Sequence, residues 1–349
     1  MSTAVRDQVI SIDQPDRWRK CLEGVPHSYW HTWECCSAVR HTSGLPTFLY
    51  CLDQADVRMV CPFSERQWRG STDICTPAGF SGFAANGALP GSDECWKAFA
   101  QSRNYVCGYV AQHPLFSNHV NLEKAGWANK IFYFDLTLGR DALLKRMRPN
   151  RRNAIWRWYA AGKKYLNDRE ALSAFLVRHH ADFMRQADAS AASYYSERTL
   201  EAICVDPASE LVGVEDDKGI CAVCLFTSTP WGAEAVFNVA VRDGRDFAVP
   251  LIWWGVEHYL QRGLPFLHVG GGIRPGDDLA RAKMRYGTDA ADFKCLKQIY
   301  NQSAYDRLCA AAGCDPSSDA GYFPPYRAPR PASRTDIPRT DTNEPCSSH

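Results

Sequence analysis

The fold prediction starts from residues His268–Gly287, HVGGGIRPGDDLARAKMRYG. An apolar run at Leu264–Val269 leads into them and predicts a buried strand. Glycine fills positions 270–272, where it permits a positive φ angle or a close approach of the backbone to a ligand. Asp277 and Asp278 have side chains that cap a helix N-terminus. The segment therefore predicts a strand, a glycine turn and a short helix.

The short helix and its approach carry the cations Arg274, Arg281, Lys283 and Arg285. A glycine turn beside such a helix is a place where an anion, or the oxyanion of a transition state, can be stabilised. We therefore expect Lys283 to be a catalytic residue. The residues expected to bind substrate around it are Gly270, Gly271, Gly272, Arg274 and Arg285.

The two residues of this segment that can take part in catalysis, Lys283 and His268, also have plainer interpretations. Lys283 can be read as a solvated lysine on an exposed helix. His268 lies next to the glycine turn, and we expect it to act as a second catalytic residue that accepts a proton. The alternative is a hydrogen-bonded histidine of the core.

Four stretches of the chain resemble the FemABX-type acyltransferases, which are built from GNAT-like folds. The pattern Leu-x-x-Phe-Lys-x-x-Phe-Gly of that family is matched by Leu279, Ala282, Lys283, Tyr286 and Gly287, with alanine at the first aromatic position. The other three stretches resemble the first-helix pattern, a turn of the first domain and the basic interdomain helix of the family. They are His31–Cys35, Asp73–Gly82 and Leu144–Arg157.

This resemblance implies an α+β (mixed α/β) fold with two GNAT-like domains in tandem that face a central cleft. It implies that Lys283 lies at the aminoacyl-donor site. It also implies that Arg40 meets the phosphates of an acceptor and that Tyr194 and Tyr195 line the cleft. The alternatives are that Arg40 is a solvated surface arginine and that Tyr194 and Tyr195 have a packing role alone.

The order of the predicted elements occurs twice, at a separation of about 160 residues, which favours a duplicated domain over a solenoid. Each copy has a helix, a hairpin, a further strand, a helix and a last strand. We expect a first GNAT-like domain at 1–145, a basic interdomain helix at 146–168, a second GNAT-like domain at 169–315 and a disordered Pro/Ser-rich tail at 316–349.

The run Lys145–Lys164 contains eight cations and no acid. Such a helix can follow a phosphate backbone, or its arginines can grip a nucleotide-linked acceptor. The plainer alternative is an amphipathic helix that docks Ile155, Trp156 and Tyr159 on the core. The residues expected to bind tRNA or phosphate are Arg148, Arg151, Arg152 and Arg157.

The composition is that of a soluble globular protein, with 45% hydrophobic and 23% charged residues. A net charge of +1 gives no overall field for nucleic acid, so such a partner needs a local patch. No apolar run is long enough to span a membrane, and the first residues show no secretory signal. The 15 scattered cysteines therefore predict reduced thiols in the cytoplasm.

No metal and no cofactor are expected. Cys221 and Cys224 lie in a predicted strand, and no second pair of ligands accompanies them at a suitable spacing. The turn Arg242–Pro250 lacks the glycine spacing that holds the pyrophosphate of acetyl-CoA, and Pro250 has no N–H to donate.

The expected function is an N-acyltransferase that forms an amide from an activated acyl donor. Aminoacyl-tRNA is the favoured donor, so tRNA is the expected partner, and the acceptor is an amine on a small molecule or a precursor. Two alternatives stay open. One is an acyl-CoA-dependent enzyme acting on a sugar, a polysaccharide or a specialised metabolite. The other is a non-catalytic module that binds RNA or a glycan.

Overall fold

The computed structural model describes residues 6–116, 125–317 and 321–328. Within these ranges the chain forms ten α-helices and twelve strands, a mixed α/β fold as predicted. The strands are β1 (Arg6–Ser11), β2 (Thr47–Gln54), β3 (Val57–Trp68), β4 (Ser71–Cys75), β5 (Ala84–Ala85), β6 (Cys107–Ala111), β7 (Gly126–Asp135), β8 (Ser209–Asp216), β9 (Gly219–Thr229), β10 (Gly232–Ala240), β11 (Phe266–Gly271) and β12 (Asp289–Ile299). The helices are α1 (Pro15–Leu22), α2 (Trp33–Ser43), α3 (Ser92–Ser102), α4 (Arg140–Arg146), α5 (Pro149–Ala160), α6 (Arg169–Gln186), α7 (Glu197–Val205), α8 (Ala248–Gln261), α9 (Asp278–Met284) and α10 (Gln302–Ala312).

The strands form one mixed sheet in the order β1-β2-β3-β4-β6-β12-β7-β11-β10-β9-β8, with β5 paired to β3. The strand order is similar on the two sides of the central β12–β7 pair. On one side β6 pairs antiparallel with β12 and parallel with β4; on the other β11 pairs antiparallel with β7 and parallel with β10. A hairpin follows on each side, β2–β3 on the first and β8–β9 on the second, and β1 adds one more strand beyond β2 on the first side. The chain therefore contains two similar halves, in agreement with the repeat of predicted elements.

The two central strands join the halves. β12 pairs with β7 over Asp289–Cys295 and with β6 over Cys295–Ile299. β7 comes from the first half of the sequence but lies beside β11 of the second half. The predicted boundary at residue 145 therefore does not divide the sheet, and neither central strand was predicted from the sequence.

Helices also connect the halves. Helix α2 packs on α7, and the Thr199 hydroxyl donates to the Ala38 carbonyl oxygen at 2.7 Å. Tyr29, just before α2, donates to Asp206 after α7 at 2.9 Å. Side chains from both halves share the hydrophobic core around these contacts. The halves form one packed body and not two loosely linked domains.

The basic run is two helices, because Pro149 begins α5 after a break at Met147–Arg148. Ile155 docks on the core as expected. The aromatic assignments were wrong: Trp158 is the buried aromatic residue, while Trp156 is 49% and Tyr159 39% exposed. Their spacing explains the difference, since Trp158 lies three residues after Ile155 and so shares its face of the helix.

Part of the predicted tail is packed on the fold. The Tyr326 hydroxyl donates to buried Asp73 of β4 at 3.0 Å, and the Arg327 guanidinium donates to the same carboxylate at 2.6 Å. The prediction of disorder is therefore wrong for residues 321–328. Residues 318–320 and 329–349 of the predicted tail lie outside the described residues.

Three further observations concern the described ranges alone. None of their helices is both long and apolar enough to cross a bilayer. No disulfide joins their cysteines. No group of three or more His, Cys, Asp or Glu side chains in them is arranged to hold a metal ion.

Candidate functional site

The site begins where two parallel strands separate. β10 and β11 share only two register pairs, Ala233 with Leu267 and Glu234 with His268. A register irregularity follows in each strand, between Ala235 and Phe237 in β10 and between His268 and Gly271 in β11. Beyond these pairs the two strands are no longer hydrogen-bonded to each other, and the glycine turn lies on the β11 side of this opening between β10 and β11. The first half has a matching short parallel pair between β4 and β6.

Lys283 lies across the glycine turn. Its Nζ donates to the Gly271 carbonyl oxygen at 2.6 Å, and a Cβ placed on Gly270 would lie 3.0 Å from the same nitrogen. Gly270 has a φ of +73°, which a larger residue adopts only at a cost. Glycine at 270 therefore allows both the turn and the close approach of the ammonium group.

The ammonium of Lys283 is partly withdrawn from water. Burial lowers the pKa of Lys283 to about 8, and the Asp277 carboxylate offsets part of this effect. The side chain is half-buried against the glycine turn that ends β11 and is not a fully solvated lysine. A cation in such a place can stabilise negative charge that develops beside it.

The Asp277 carboxylate already binds backbone N–H groups of the turn and of the start of α9, where the sequence suggested that an external anion could bind. Its carboxylate accepts hydrogen bonds from the N–H groups of Ile273 at 2.7 Å, Arg274 at 2.8 Å and Ala280 at 2.8 Å. Burial raises the pKa of Asp277, but these three hydrogen bonds outweigh burial and lower it below its usual value. The stabilisation of an external oxyanion therefore falls to Lys283 rather than to these amides.

The family-like pattern around Lys283 has a clear packing basis. Tyr286 is buried against the Phe134 ring, while Leu279 is 43% exposed. Gly287 has a φ of +71°, and a Cβ there would lie 2.5 Å from the Arg146 carbonyl oxygen. The pattern thus fixes α9 against the core and against the end of α4, which holds Lys283 in place.

We expect Gly287→Ala to lower the free energy of unfolding by more than about 2 kcal/mol, because strain at positive φ adds to a backbone clash. Gly276→Ala is the matched control, since Gly276 has a φ of +70° and a Cβ placed on it would have no atom within 4 Å. Urea denaturation of both variants measures the difference. Equal losses in the two variants would contradict a clash at position 287.

A buried polar group lies behind the turn. Glu234 and His268 face each other across β10 and β11, and the Trp30 indole N–H donates to Glu234 Oε2. His113, which follows β6, places its Nε2 3.9 Å from Glu234 Oε1. Phe80 covers the two histidines with edge-on ring contacts, at 5.4 Å from His268 and 6.3 Å from His113.

His268 is a core histidine with a defined tautomer. Its Nδ1 accepts a hydrogen bond from the Gly270 N–H at 3.3 Å, so the neutral ring carries its proton on Nε2. Burial, and next the charge of Lys283, lower the pKa of His268 to about 3. The ring therefore offers a donor rather than an acceptor at neutral pH, which argues against the predicted role as direct proton acceptor.

The predicted phosphate-binding arginines divide into two pairs. Arg151 stacks over the Tyr286 ring at 5.0 Å, and Arg152 donates to the Lys145 carbonyl oxygen at 3.3 Å, so both contribute to packing. The other two are exposed, Arg148 immediately before α5 and Arg157 near its end.

Arg148 meets α9 in a cationic pocket that the sequence did not reveal. The pocket has a volume of about 520 Å³ and is lined by Arg148, Pro149, Asn150, Arg281, Met284 and Arg285. The Arg148 N–H donates to the Arg285 carbonyl oxygen at 3.0 Å, which fixes the two segments together. Arg274 is exposed on the same turn-and-helix segment as Lys283.

The residues expected to line the rest of the cleft have mixed surroundings. Arg40 forms a surface ion pair with Asp13 at 2.9 Å. Tyr195 packs against His180 and Phe237 within the shared core, and Tyr194 is half-buried. Tyr195 therefore has the surroundings of a packed core residue, and Arg40 those of a solvent-exposed surface arginine.

Solved structures share this fold. FemX matches with a TM-score of 0.63 and 11% identity over 86% of this chain and 99% of its own. The structure of L-PGS from Bacillus licheniformis gives a TM-score of 0.54 and 10% identity over 82% of this chain and 92% of its own. The C-terminal domain of a putative lysylphosphatidylglycerol synthetase from Agrobacterium fabrum gives 0.51 and 11% over 80% and 91%. No protein-family model and no curated protein matches the sequence.

These likenesses define the fold class. The chain has the fold of FemX, in agreement with the resemblance that the motifs around Lys283 carry. Among these three structures, FemX shares the most of this fold. At 10–11% identity the likeness concerns the fold, and the chemistry is argued from the site itself.

Proposed function

We propose that this protein is an N-acyltransferase that forms an amide from an activated acyl ester and an amine. The position of Lys283 carries the proposal: its ammonium lies half-buried against the glycine turn that ends β11, on the Gly271 carbonyl oxygen. Attack of an amine on an ester places negative charge on the carbonyl oxygen. A fixed ammonium stabilises that charge, and the opening holds the two reactants together.

We propose aminoacyl-tRNA as the donor. The cationic pocket of Arg148, Arg281 and Arg285 adjoins the helix that carries Lys283, and phosphates suit such a surface. Exposed Trp156 lies beside it on α5 and offers a face for a base to stack on. One similar structure is named as a domain of a putative lysylphosphatidylglycerol synthetase, and a lysyl product agrees with an aminoacyl donor.

An acyl-CoA donor is less well supported by the helix N-termini. In the second half the segment Arg242–Phe247 is helical and runs into α8, and the Ala248 N–H is bonded to the Arg245 carbonyl oxygen. Pro250 then supplies no N–H. In the first half Asp93 and Glu94 occupy the first turn of α3, where they would repel a pyrophosphate.

The donor is tested with purified protein, pools of labelled aminoacyl-tRNA and a set of acyl-CoA esters. Loss of label from tRNA, by transfer to an added amine or by hydrolysis, is the expected result. Turnover of acyl-CoA alone would mean that the protein is an acyltransferase whose donor is acyl-CoA and not aminoacyl-tRNA. If neither donor is consumed while tRNA binds, the chain is a binding module.

We expect Arg148→Ala and Arg285→Ala each to weaken the binding of tRNA, by about the same factor for tRNAs of different sequence. Each should also reduce the slope of log affinity against log salt by about one, because one phosphate contact is lost. Arg185→Ala is the control, an exposed arginine on α6 that pairs with Asp182. Salt titrations followed by filter binding give the slopes. Unchanged slopes would mean that the pocket is not part of the surface that binds tRNA.

A further inference from the structure

The end of α10 brings two cysteines together. Gly313, with a φ of +70°, donates its N–H to the Ala310 carbonyl oxygen at 3.1 Å, and Cys314 donates its N–H to the Cys309 carbonyl oxygen at 3.0 Å. These two hydrogen bonds form a Schellman motif, in which the side chains of the residues joined by the outer bond often pack on each other. At both of these positions the chain has a cysteine.

The two thiol groups are in contact. The Cys314 thiol donates to the Cys309 carbonyl oxygen at 3.5 Å, so its side chain turns back over the end of the helix. The thiols of Cys309 and Cys314 are also hydrogen-bonded to each other. Cys309 belongs to a buried cluster with Tyr305 and Tyr326, and Cys314 packs against that cluster. The end of α10 therefore holds a preformed pair of thiols.

The two cysteines differ in their access to solvent. Cys309 is fully buried, whereas Cys314 is half-buried. Burial, and next the hydrogen bond with the Cys314 thiol, raise the pKa of Cys309 to about 12. Because a thiol reacts as its thiolate and needs access to its reagent, Cys314 is the cysteine that a reagent from solvent meets first. Cys309 lies directly behind it.

This combination of contact and access distinguishes the pair from the other cysteines that the structure describes. Cys75 and Cys95 are also half-buried, but within the described ranges neither is hydrogen-bonded to a second thiol. Cys21 and Cys51 are hydrogen-bonded to each other, but both are buried, with exposures of 5% and 0%. The pair at the end of α10 has both a second thiol in contact and a path from solvent.

We propose that Cys309 and Cys314 are a redox-active pair that a low-molecular-weight disulfide converts into an intrachain disulfide; this inference does not depend on the proposed function. Cys314 gives its proton to solvent and attacks one sulfur of the oxidant, whose S–S bond breaks and releases one thiolate. Cys309 then gives its proton to solvent and attacks Cys314 Sγ, which releases the second thiolate. The two cysteines lose two electrons to the oxidant, and each released thiolate takes up one proton.

The place of the pair in the fold gives its oxidation a structural effect. Cys309 shares its cluster with Tyr326, whose hydroxyl donates to buried Asp73 of β4. A bond from Cys309 to Cys314 fixes the chain where it leaves α10 toward the segment 321–328 that packs on β4. Oxidation therefore adds a covalent tether next to the contacts that hold this segment.

The test uses the full-length wild-type protein. Trypsin cleaves after Arg307 and Arg327, so the peptide Leu308–Arg327 contains both cysteines of the pair and no other cysteine. Reduced protein is incubated with excess oxidised glutathione, alkylated with N-ethylmaleimide in denaturant, digested, and measured by mass spectrometry without reduction. We expect this peptide to lose the mass of two hydrogen atoms and to take up no N-ethylmaleimide.

Two results in wild type would overturn the inference. One is a peptide Leu308–Arg327 whose cysteines both remain open to alkylation. The other is a disulfide from this peptide to Thr340–His349, the tryptic peptide that contains Cys346, which lies outside the described residues. Cys75 and Cys95 are controls within the same sample, and each should carry glutathione or stay open to alkylation without forming an intrachain disulfide.

Two variants test the order of the steps. In Cys309→Ser the second thiol is absent, so glutathione should stay on Cys314 at a level about 10-fold or more above wild type, because a neighbouring thiol acts at a high effective concentration. In Cys314→Ser, buried Cys309 should stay free of glutathione. Equal amounts of glutathione on Cys314 in wild type and in Cys309→Ser would overturn the inference, as would rapid modification of Cys309 in folded Cys314→Ser.

Discussion

Lys283→Met is expected to lower kcat by roughly 100- to 1000-fold, the loss typical of removing one group that stabilises an oxyanion. Methionine keeps much of the side-chain length and apolar contact but has no charge to place at the Gly271 turn. The variant should remain folded, because the lost bond is to one half-buried carbonyl oxygen at the end of β11. Steady-state kinetics on the donor identified by the transfer assay measure the effect.

The matched control is Lys130→Met. Lys130 lies on neighbouring β7, is 57% exposed and pairs with Asp292 at 3.6 Å, so its loss should leave kcat within about two-fold. Lys283→Arg tests whether charge is the requirement. Wild-type activity should fall as the pH rises through about 8, where the ammonium loses its proton. The arginine variant should lack this falling limb, and a wild-type limb unchanged in Lys283→Arg would assign it to another group.

Glu234→Gln should make the protein more stable than wild type at high pH. The folded-state pKa of Glu234, about 8, exceeds the ordinary glutamate value of 4.5 that applies to the unfolded chain. Between these values the unfolded chain releases a proton that the folded protein retains, so the stability of wild type falls as pH rises through that window. A shift of this size corresponds to roughly 3–5 kcal/mol.

The measurement is the free energy of unfolding in urea at pH 5 and pH 9. At pH 5 folded wild type holds a neutral carboxyl group, which glutamine resembles, and the two proteins should differ little. At pH 9 the variant should be the more stable by several kcal/mol. Equal stability at both values would mean that Glu234 is ionised throughout and that its carboxylate is fully compensated.

Local sequence patterns predicted the elements that have a strong local signal. The apolar runs of β8 and β9, the strand before the glycine turn and the cap at Asp277 are all present. β12 was missed because its first residues alternate between half-buried and exposed positions, so that no continuous apolar run marks it. Its position between β6 and β7 depends on pairing across the whole chain.

Local sequence patterns likewise predicted only the part of the candidate site that lies within one segment. Lys283 and the glycine turn lie within one segment, so their proximity can be expected from the sequence. Glu234 is a single acid in an apolar strand, and its partner Trp30 lies 204 residues away. The hydrogen bonds from the Ile273 and Arg274 N–H groups to Asp277 could not be predicted either, because the sequence of a capping aspartate does not show which further N–H groups it binds.

The central claim is that the Lys283 ammonium faces the reacting carbonyl. A crystal structure of the protein with an unreactive donor analogue, in which nitrogen replaces the ester oxygen, tests it most directly. We predict the acyl carbonyl oxygen within about 3 Å of Lys283 Nζ, at the opening between β10 and β11. An acyl group bound elsewhere, with Nζ still on the Gly271 carbonyl oxygen, would contradict the account.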